Sequence, residues 1–475
     1  MSGPALPRFP GGFTWGVSTS AYQIEGAAHE DGRGESIWDV FCRKPGAIRD
    51  GQNADMADDH YHRWREDVEL MARLGVGAYR FSIAWPRVQP TGRGPANAAG
   101  LDFYARLTDA LLARGITPVP TLYHWDLPQP LQSEGGWLAR ETAARFADYA
   151  GLAAARLADR IPLWITLNEP FVVTAYGYAL GFHAPGASLM LDALPTAHHQ
   201  LLGHGLAAAA LRSAGVSQVV ITNNYSPAWP ASDSEPDMAA AYAYDVWHNR
   251  LFTDPVLLGA YPDLSPFGIP GGPGKPGGPA GPGGPGGDAG PAGPGGPRGL
   301  AWIRDDDLAV IAAPVDGLGV NYYRPARLSA LPDALLPFQM EPIPGYPRTA
   351  FGWPVVPAGL TELLMLLKER YGAALPPVYI TENGCSADDR VSAGGVVADE
   401  TRISYLDGHI RAVHEAVAAG VDVRGYFVWS LMDNFEWTEG FHQRFGLVHV
   451  DFATQRRTPK DSFGWYRNMI AAQRG

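Results

Sequence analysis

Short apolar runs rich in β-branched and aromatic residues recur along the chain, and each is followed by a stretch in which apolar residues have helical spacing. The runs cover residues 13–21, 77–85, 116–125, 163–170, 218–226, 315–323, 377–384 and 423–433. Because they are almost continuously apolar, they predict parallel strands that are buried on both faces. Eight such strands alternating with helices predict an α/β fold, a single (β/α)8 TIM barrel over residues 1–475.

The helical spacing is clear in two of the intervening segments. In 62–74, apolar side chains recur every three or four residues and Gly75 follows, so we predict a helix that ends there. The segment 101–114, followed by Gly115, has the same pattern. Both helices are expected to pack one apolar face against the sheet.

Composition and charge narrow the class of protein. Hydrophobic residues make up 46% of the 475 residues, which is enough for a large core, and the formal net charge is −12. The absence of a basic stripe argues against a nucleic acid as partner, because phosphate contacts require clustered Lys and Arg. The chain begins without a secretory pattern and has no run of 18 apolar residues, so we expect a cytoplasmic protein without a membrane partner. Cys42 and Cys385 are expected to be free thiols, although a single bridge between them is left open.

Two carboxylates stand at the ends of predicted strands. Glu169 closes the fourth run, in "WITLNEP", and Glu382 closes the seventh, in "YITENG". The carboxyl ends of all barrel strands share one face, and strands four and seven of eight lie across the barrel from each other. A single Glu there could equally be a helix cap, a metal ligand or half of an ion pair. The pair favours glycoside hydrolysis, which uses two carboxyl groups around one bond.

Seven motifs in order resemble the glycoside hydrolase family 1 β-glucosidases. They are "FTWGVSTSAYQIEG", "YRFSIAWPR", "TLYHWDLP", "TLNEP", "GVNYY", "YITENG" and "FVWSLMDNFEWTEGF", and the resemblance runs from Phe13 to about Tyr466. It implies a retaining mechanism in which Glu169 is the general acid/base and Glu382 the nucleophile, with the two carboxyl groups roughly 5–5.5 Å apart.

The resemblance also implies the groups around the two carboxylates. Arg80 is expected beside Glu382, where it favours the charged form, while Glu169 among aromatic groups should have the raised pKa. The nucleophile would be supported by Arg80, Tyr323 and Asn321. The expected ligands of the non-reducing sugar are Gln23, His124, Asn168, Glu436 and Trp437, with Trp429 as the stacking floor. Trp353, His183 and Tyr178 are expected to border the leaving-group site, although Trp353 alone could equally be a core residue.

The same residues indicate the substrate. In relatives that cleave 6-phosphorylated glycosides, the region of Glu436 holds groups that bind phosphate, whereas a carboxylate there would repel it, so we expect an unphosphorylated β-glycoside. Glu169, which the thioglucosidase relatives replace with Gln, indicates O-glycosides. We expect neither a cofactor nor a metal, because no metal-ligand spacing or phosphate loop is present. The choice of sugar and leaving group, the balance of hydrolysis and transglycosylation, and a homo-oligomer are left open.

Two other classes of protein would account for parts of the sequence. A binding protein that keeps the barrel without activity would be expected to lack one of the two Glu, and both are present. A collagen-like trimer is suggested by residues 271–299, of which 23 of 29 are Gly or Pro. However, no Pro occupies the third position of its Gly triplets, where hydroxyproline would strengthen a triple helix. We therefore predict a disordered surface insertion between helix 5 and strand 6, at the amino-terminal face.

Overall fold

The barrel is closed by eight parallel strands that follow one another around it in chain order. The computed structural model describes residues 6–269, 300 and 302–474. The barrel strands are β1 (Thr14–Ser18), β2 (Ala78–Ser82), β3 (Thr117–Tyr123), β4 (Leu163–Asn168), β5 (Gln218–Tyr225), β7 (Gly317–Tyr322), β10 (Val378–Asn383) and β11 (Val423–Trp429). β11 pairs with β1 to complete the ring. All eight predicted strands and the predicted fold class are confirmed.

Further strands form two small sheets outside the barrel. β6 (Ala228–Pro230), β8 (Ala326–Ala330) and β9 (Phe338–Glu341) make a three-stranded sheet, and β12 (Val448–Asp451) pairs with β13 (Arg456–Pro459). β6 follows directly after β5 and β8 directly after β7. The three-stranded sheet therefore extends the barrel at its carboxyl-terminal end, where side chains of β9 can reach the barrel mouth.

Helices surround the barrel. They are α1 (Ala21–Ile24), α2 (Ile37–Cys42), α3 (His60–Leu74), α4 (Trp85–Val88), α5 (Ala98–Ala113), α6 (Gln129–Ser133), α7 (Glu141–Leu157), α8 (Pro170–Val172), α9 (Leu194–Ser213), α10 (Glu235–Asp245), α11 (Asp254–Leu258), α12 (Asp307–Ile311), α13 (Pro357–Tyr371), α14 (Glu400–Ala418) and α15 (Asp461–Arg474). Turns of 3-10 helix lie at Arg49–Gly51, Gly136–Leu138, Met190–Ala193, Ser265–Phe267, Gly372–Ala374 and Trp437–Glu439, and π-helical turns at Val173–Ala179 and Val246–Arg250.

The two helices singled out in the sequence are present. α3 ends at Leu74, and Gly75 follows with a φ of 78°, the left-handed conformation that glycine adopts without steric cost. α5 ends at Ala113, and Gly115 has a φ of 68°. In both helices the predicted apolar face is buried.

The inside of the barrel is apolar at one end and polar at the other. A layer of apolar side chains, Ala78, Val119, Ile165, Val220 and Phe427, packs inside the barrel near the amino ends of its strands. Farther along, the barrel strands carry buried polar side chains, among them Arg80, Asn168 and Glu382. The apolar layer closes the bottom of the barrel, so the polar groups face only the carboxyl-terminal mouth.

Three predictions concern features outside the barrel. The Gly/Pro tract 271–299 lies outside the described residues. Cys42 and Cys385 are buried free thiols, so no disulfide joins them. Within the described segments, no helix is both long and apolar enough to cross a membrane.

Candidate active site

The mouth of the barrel holds a cavity of about 550 Å³ whose wall includes both predicted carboxylates. A second cavity, of about 510 Å³, lies at the amino-terminal end of the barrel, and no Asp or Glu is among the described residues that line it. Because the chemistry proposed from the sequence needs carboxyl groups, the mouth cavity is the candidate site.

Glu382 is held by two hydrogen-bond donors. Arg80 Nη1 lies 2.5 Å from Oε1 of Glu382, and the Tyr323 hydroxyl donates to Oε2 at 2.8 Å. Arg80 is almost completely buried, so its charge acts with little screening by water. Burial and the negative charge of Glu382 raise the pKa of Tyr323 well above its usual value, so this tyrosine keeps its proton and remains a donor. The surroundings therefore stabilise Glu382 as a carboxylate.

Glu169 has a different environment. It follows β4 with a φ of 47°, a left-handed conformation that is unfavourable for glutamate, and its backbone N–H donates to the carbonyl of Thr222 at 2.9 Å. Burial raises the pKa of Glu169 well above its usual value, and the charge of Glu382 raises it further. One hydrogen bond, from Asn321 Nδ2 at 2.7 Å, partly offsets this increase. The site thus keeps Glu169 protonated beside an ionised Glu382.

Asn168 connects the two carboxyl groups. Its Oδ1 accepts hydrogen bonds from Arg80 at 2.6 Å and from Asn321 at 3.0 Å. Arg80 in turn binds Glu382, and Asn321 binds Glu169, so one network of buried side chains fixes the separation of the two acids. Such a network holds reacting groups in place before the substrate arrives.

The predicted role of Asn321 needs correction. Its side-chain amide donates to Glu169 and Asn168 and accepts from Thr381 Oγ1 at 2.7 Å, and none of its hydrogen bonds is to Glu382. Asn321 is the neighbour of Glu382 across the β7–β10 ladder, but its side chain supports the other acid. Position at a strand end was visible in the sequence, whereas the direction of the side chain was not.

The network also sets the tautomer of His124. Because both donors to Asn168 point at its Oδ1, its Nδ2 faces His124 Nε2, 3.1 Å away, which must then accept. The proton lies on Nδ1, which is buried without a partner among the described residues. Burial lowers the pKa of His124 well below its usual value, so the ring is neutral. The ring therefore adds a neutral polar side chain to the wall of the cavity.

The other predicted sugar ligands surround this histidine. Trp429 and Trp437 stack on the His124 ring at centroid distances of 5.8 and 6.0 Å. Glu436 lines the cavity beside them, and burial together with the charge of Glu382 raises its pKa to about 8. Gln23 is fully buried, and its Nε2 donates to the Phe435 carbonyl at 2.8 Å and approaches Glu436 Oε2 at 3.4 Å. Gln23 therefore lies behind Glu436, and its role as a direct sugar ligand stays a prediction.

Of the three residues predicted at the leaving-group side, two line the cavity. Trp353 stacks on Phe351 at 4.4 Å, and His183 packs against Trp125 at 5.8 Å. Burial lowers the pKa of His183 to about 4, so it too is neutral at pH 7.

The prediction for Tyr178 is wrong. Its hydroxyl donates to Gln132 Oε1 at 2.5 Å and accepts from the Trp137 N–H at 3.0 Å, in the core behind the cavity. Residues 173–179 form a π-helical turn, and two positions along a helix face away from each other. Tyr176, two residues earlier, therefore lines the cavity in its place.

Several residues of the cavity wall were not among the predicted ligands. Trp125 follows His124 with a φ of 78°, and its Nε1 donates to the Asn168 carbonyl at 2.9 Å. Because Trp125 is adjacent in sequence to the predicted ligand His124, the sequence could have predicted it as part of the wall. Arg324 could have been predicted in the same way, because it follows Tyr323. Phe338 and Met340 reach the cavity from β9, and no local pattern in the sequence marks them.

One glycine is required by the packing around the two acids. A Cβ atom on Gly384, two residues after Glu382, would overlap the carbonyl oxygen of Trp429. The backbone just after β10 therefore lies directly against the end of β11, beside the candidate nucleophile and the stacking tryptophan. Within the described chain, no three His, Cys, Asp or Glu side chains group as a metal site.

Comparisons with known proteins agree with this geometry. The family model described as Glycosyl hydrolase family 1 matches residues 6–474. Thermostable β-glucosidase B of Thermobispora bispora is 47% identical over 475 residues, covering 97% of this chain and 90% of the relative. β-Glucosidase A of Thermotoga maritima is 42% identical over 470 residues, covering 98% of both. The crystal structure of a psychrophilic β-glucosidase from Micrococcus antarcticus superposes with a TM-score of 0.89 at 44% identity, covering 98% of both chains.

Proposed function

Because this chain belongs to glycosyl hydrolase family 1, we propose that it is a retaining β-glucosidase, which removes terminal non-reducing β-D-glucosyl residues from oligosaccharides or from aryl and alkyl glycosides. The observation that supports this proposal is that the site favours opposite protonation states of two neighbouring acids. Arg80 and Tyr323 stabilise the charge of Glu382, while burial and that charge keep Glu169 protonated. Retaining hydrolysis needs this pair of states at the start of the reaction.

In the first step, a carboxylate oxygen of Glu382 attacks the anomeric carbon while Glu169 transfers its proton to the glycosidic oxygen. The bond to the leaving group breaks, the aglycone departs as an alcohol, and the sugar is bound to Glu382 as an ester. Asn321 can then donate to the negative charge left on Glu169, because its amide is already 2.7 Å from Oε1.

In the second step, the Glu169 carboxylate removes a proton from water while the water oxygen attacks the anomeric carbon. The ester bond breaks, the sugar leaves with its original configuration, and Glu382 returns to a carboxylate bound by Arg80 and Tyr323. A sugar hydroxyl in place of water would give transglycosylation through the same intermediate.

The subsite around Glu436 fits an unphosphorylated sugar, for a reason that differs from the one based on sequence. With its pKa raised to about 8, Glu436 is largely a neutral acid at pH 7, so repulsion of phosphate is weak. Among the described residues that line the cavity, however, no lysine occurs and the one arginine is Arg324, which does not affect the pKa of Glu436. A phosphate beside Glu436 would be buried without a counter-charge. Glu436 and His124 suit neutral hydroxyls.

A panel of 4-nitrophenyl β-glycosides, assayed beside cellobiose and longer cello-oligomers, tests the proposal. We expect hydrolysis of the glucoside with release of β-glucose as the first-formed anomer, which proton NMR detects before mutarotation. Release of α-glucose would contradict retention, and inactivity across the panel would contradict the hydrolase function. The cytoplasmic location and a homo-oligomeric state stay predictions of the sequence.

A further inference from the structure

The outer half of the cavity, beyond the two acids, is mostly apolar. Leu336, Phe338 and Met340 come from β9 and the loop before it, and Phe182 and Trp353 complete this part of the wall. Phe182 is 63% exposed and Met340 45% exposed, although both are large apolar side chains. Exposed apolar side chains clustered around a cavity mark a binding surface. This surface suits a flat apolar group, such as an aromatic ring, on the leaving side of the substrate.

One charged side chain interrupts the apolar surface. Arg324 lies directly after Tyr323, at the end of β7, and its guanidinium carbon is 5.8 Å from the centre of the Trp353 ring. Among the described residues it is the one arginine that lines the cavity. Its guanidinium group makes no ion pair and no hydrogen bond with any described residue. Half-buried arginines are usually paired, because a charge removed from water needs a partner.

The groups that face Arg324 carry no compensating charge. Burial raises the pKa values of Tyr176 and Tyr244 above their usual value, so both hydroxyls stay protonated. Burial and the charge of Arg324 lower the pKa of His248 to about 3, so this ring is neutral. Each of these three groups lines the cavity and interacts with Arg324 electrostatically. The positive charge therefore faces the space that the leaving group would occupy.

The acidic residues that line the cavity do not neutralise Arg324. Glu382 is bound by Arg80, Glu169 is protonated, and Glu439 pairs with Arg49 at 3.2 Å. Glu436 lies at the sugar end, and Arg324 is not among the groups that shift its pKa. An anion on the substrate is thus the group that could pair with Arg324.

We infer that Arg324 determines specificity on the leaving side of the site, and that it favours aryl β-glucosides whose aromatic ring carries a carboxylate. The inference rests on the proposed β-glucosidase function. The ring would lie on the apolar wall near Trp353, and its carboxylate would accept two parallel hydrogen bonds from the guanidinium fork. Both interactions lie beyond the reacting atoms, so they act on the selection of substrate.

The test compares a charged and a neutral substrate of the same shape. 3- and 4-Carboxyphenyl β-D-glucosides are assayed beside the corresponding 3- and 4-carbamoylphenyl β-D-glucosides, with wild type and Arg324→Met. We expect Arg324→Met to lower kcat/KM for at least one acid by about tenfold or more, the range of a charge-assisted hydrogen bond. Values for the amides should change less than about threefold. Arg324→Lys should keep part of the preference, because it retains the charge without the planar fork.

A surface substitution serves as the matched control. Arg390→Met removes the same charge from an exposed residue that pairs with Asp388 and is not among the described residues that line the cavity, and it should leave all four substrates unaffected. Added salt should reduce the preference of the wild type for the acids and not its activity on the amides. Equal losses on acids and amides in Arg324→Met would overturn the inference and assign Arg324 to packing on Trp353. An unchanged rate on every acid would overturn it as well.

The two proposals fail in different ways. If none of these glucosides nor 4-nitrophenyl β-glucoside is hydrolysed, the proposed function fails. If the amides are hydrolysed and Arg324→Met does not selectively lower kcat/KM for the acids, the β-glucosidase function stands and only the inference about Arg324 is wrong.

Discussion

The side-chain amide of Asn321 donates a hydrogen bond of 2.7 Å to Oε1 of Glu169, and this bond stabilises the charged form of the proposed acid. The bond opposes the high pKa that protonation of the leaving group requires. It becomes useful after the proton has moved, when Glu169 is a carboxylate and must act as a base. Asn321 thus balances the two protonation states that one residue needs in successive steps.

Asn321→Ala should move the alkaline limb of the kcat/KM profile to higher pH. Loss of the hydrogen bond destabilises the charged form of Glu169, so its pKa rises and the acid stays protonated further into the alkaline range. Tyr323→Phe is the matched variant, because it removes a donor from Glu382 and keeps the hydrogen bond from Asn321 to Glu169, so it should leave the alkaline limb in place. If Asn321→Ala moves only the acidic limb, its assignment to Glu169 is wrong.

Glu169→Gln should lower activity in a way that depends on the leaving group. For cellobiose, whose leaving alcohol needs a proton, we expect kcat/KM to fall by roughly 10²–10⁴. For 2,4-dinitrophenyl β-glucoside, whose leaving group needs no proton, kcat/KM should fall much less. Steady-state kinetics on both substrates give the comparison. Glu382→Gln should abolish activity on both, and equal losses in Glu169→Gln would contradict its role as acid.

Substitution of Tyr178 should affect mainly stability, and substitution of Tyr176 mainly substrate binding. Tyr178→Phe leaves the buried Trp137 N–H and Gln132 without their partner, so we expect a loss of about 1–3 kcal/mol in the free energy of unfolding. Its kcat/KM should stay within about twofold. Tyr176→Leu should keep the stability within about 1 kcal/mol and change kcat/KM for aryl glucosides by about 2–10-fold. Denaturant unfolding and steady-state kinetics measure the two effects. If Tyr178 bordered the leaving-group site, Tyr178→Phe would change kcat/KM and Tyr176→Leu would not.

Gly384→Ala should disrupt both stability and activity. The new Cβ overlaps the Trp429 carbonyl oxygen, so β10 and β11 must separate at the residues that hold Glu382 and Trp429. Overpacking of this kind costs roughly 1–3 kcal/mol or more. Gly394→Ala is the control, because its nearest atom lies 4.0 Å away and its φ is not positive, and it should change unfolding by less than about 0.5 kcal/mol. Equal thermal stabilities of the two variants would contradict the steric argument.

Replacing residues 271–299 with a short turn should leave kcat/KM within a few-fold. The segment from Trp302 leads through α12 to the amino end of β7, on the side of the barrel away from Glu169 and Glu382. A loss of several hundredfold would mean that the tract acts at the catalytic face. Size measurement on the same variant tests the alternative of a collagen-like trimer, which predicts that a trimer dissociates to monomers.

The sequence by itself determined the eight strands and the position of the two acids at the mouth of the barrel, whereas the sugar subsite was predicted through the resemblance to a family. Strand and helix periods are local properties, and a residue that ends a buried parallel strand must lie at the carboxyl-terminal mouth wherever the rest of the chain goes. Glu169, Glu382, His124 and Trp429 could be found for this reason. Arg80 could be placed beside Glu382 only through the resemblance to a family.

The tertiary structure decided which way individual side chains point and what surrounds them. Asn321 turns to Glu169, Tyr178 points into the core while Tyr176 faces the cavity, and the wall that contains Phe338 comes from a sheet formed by distant segments. The raised pKa of Glu436, and the absence of an ion-pair partner for Arg324 among the described residues, depend on the burial and charge of groups far apart in the chain. Such properties arise from distances in space, and the local pattern of a sequence does not contain them.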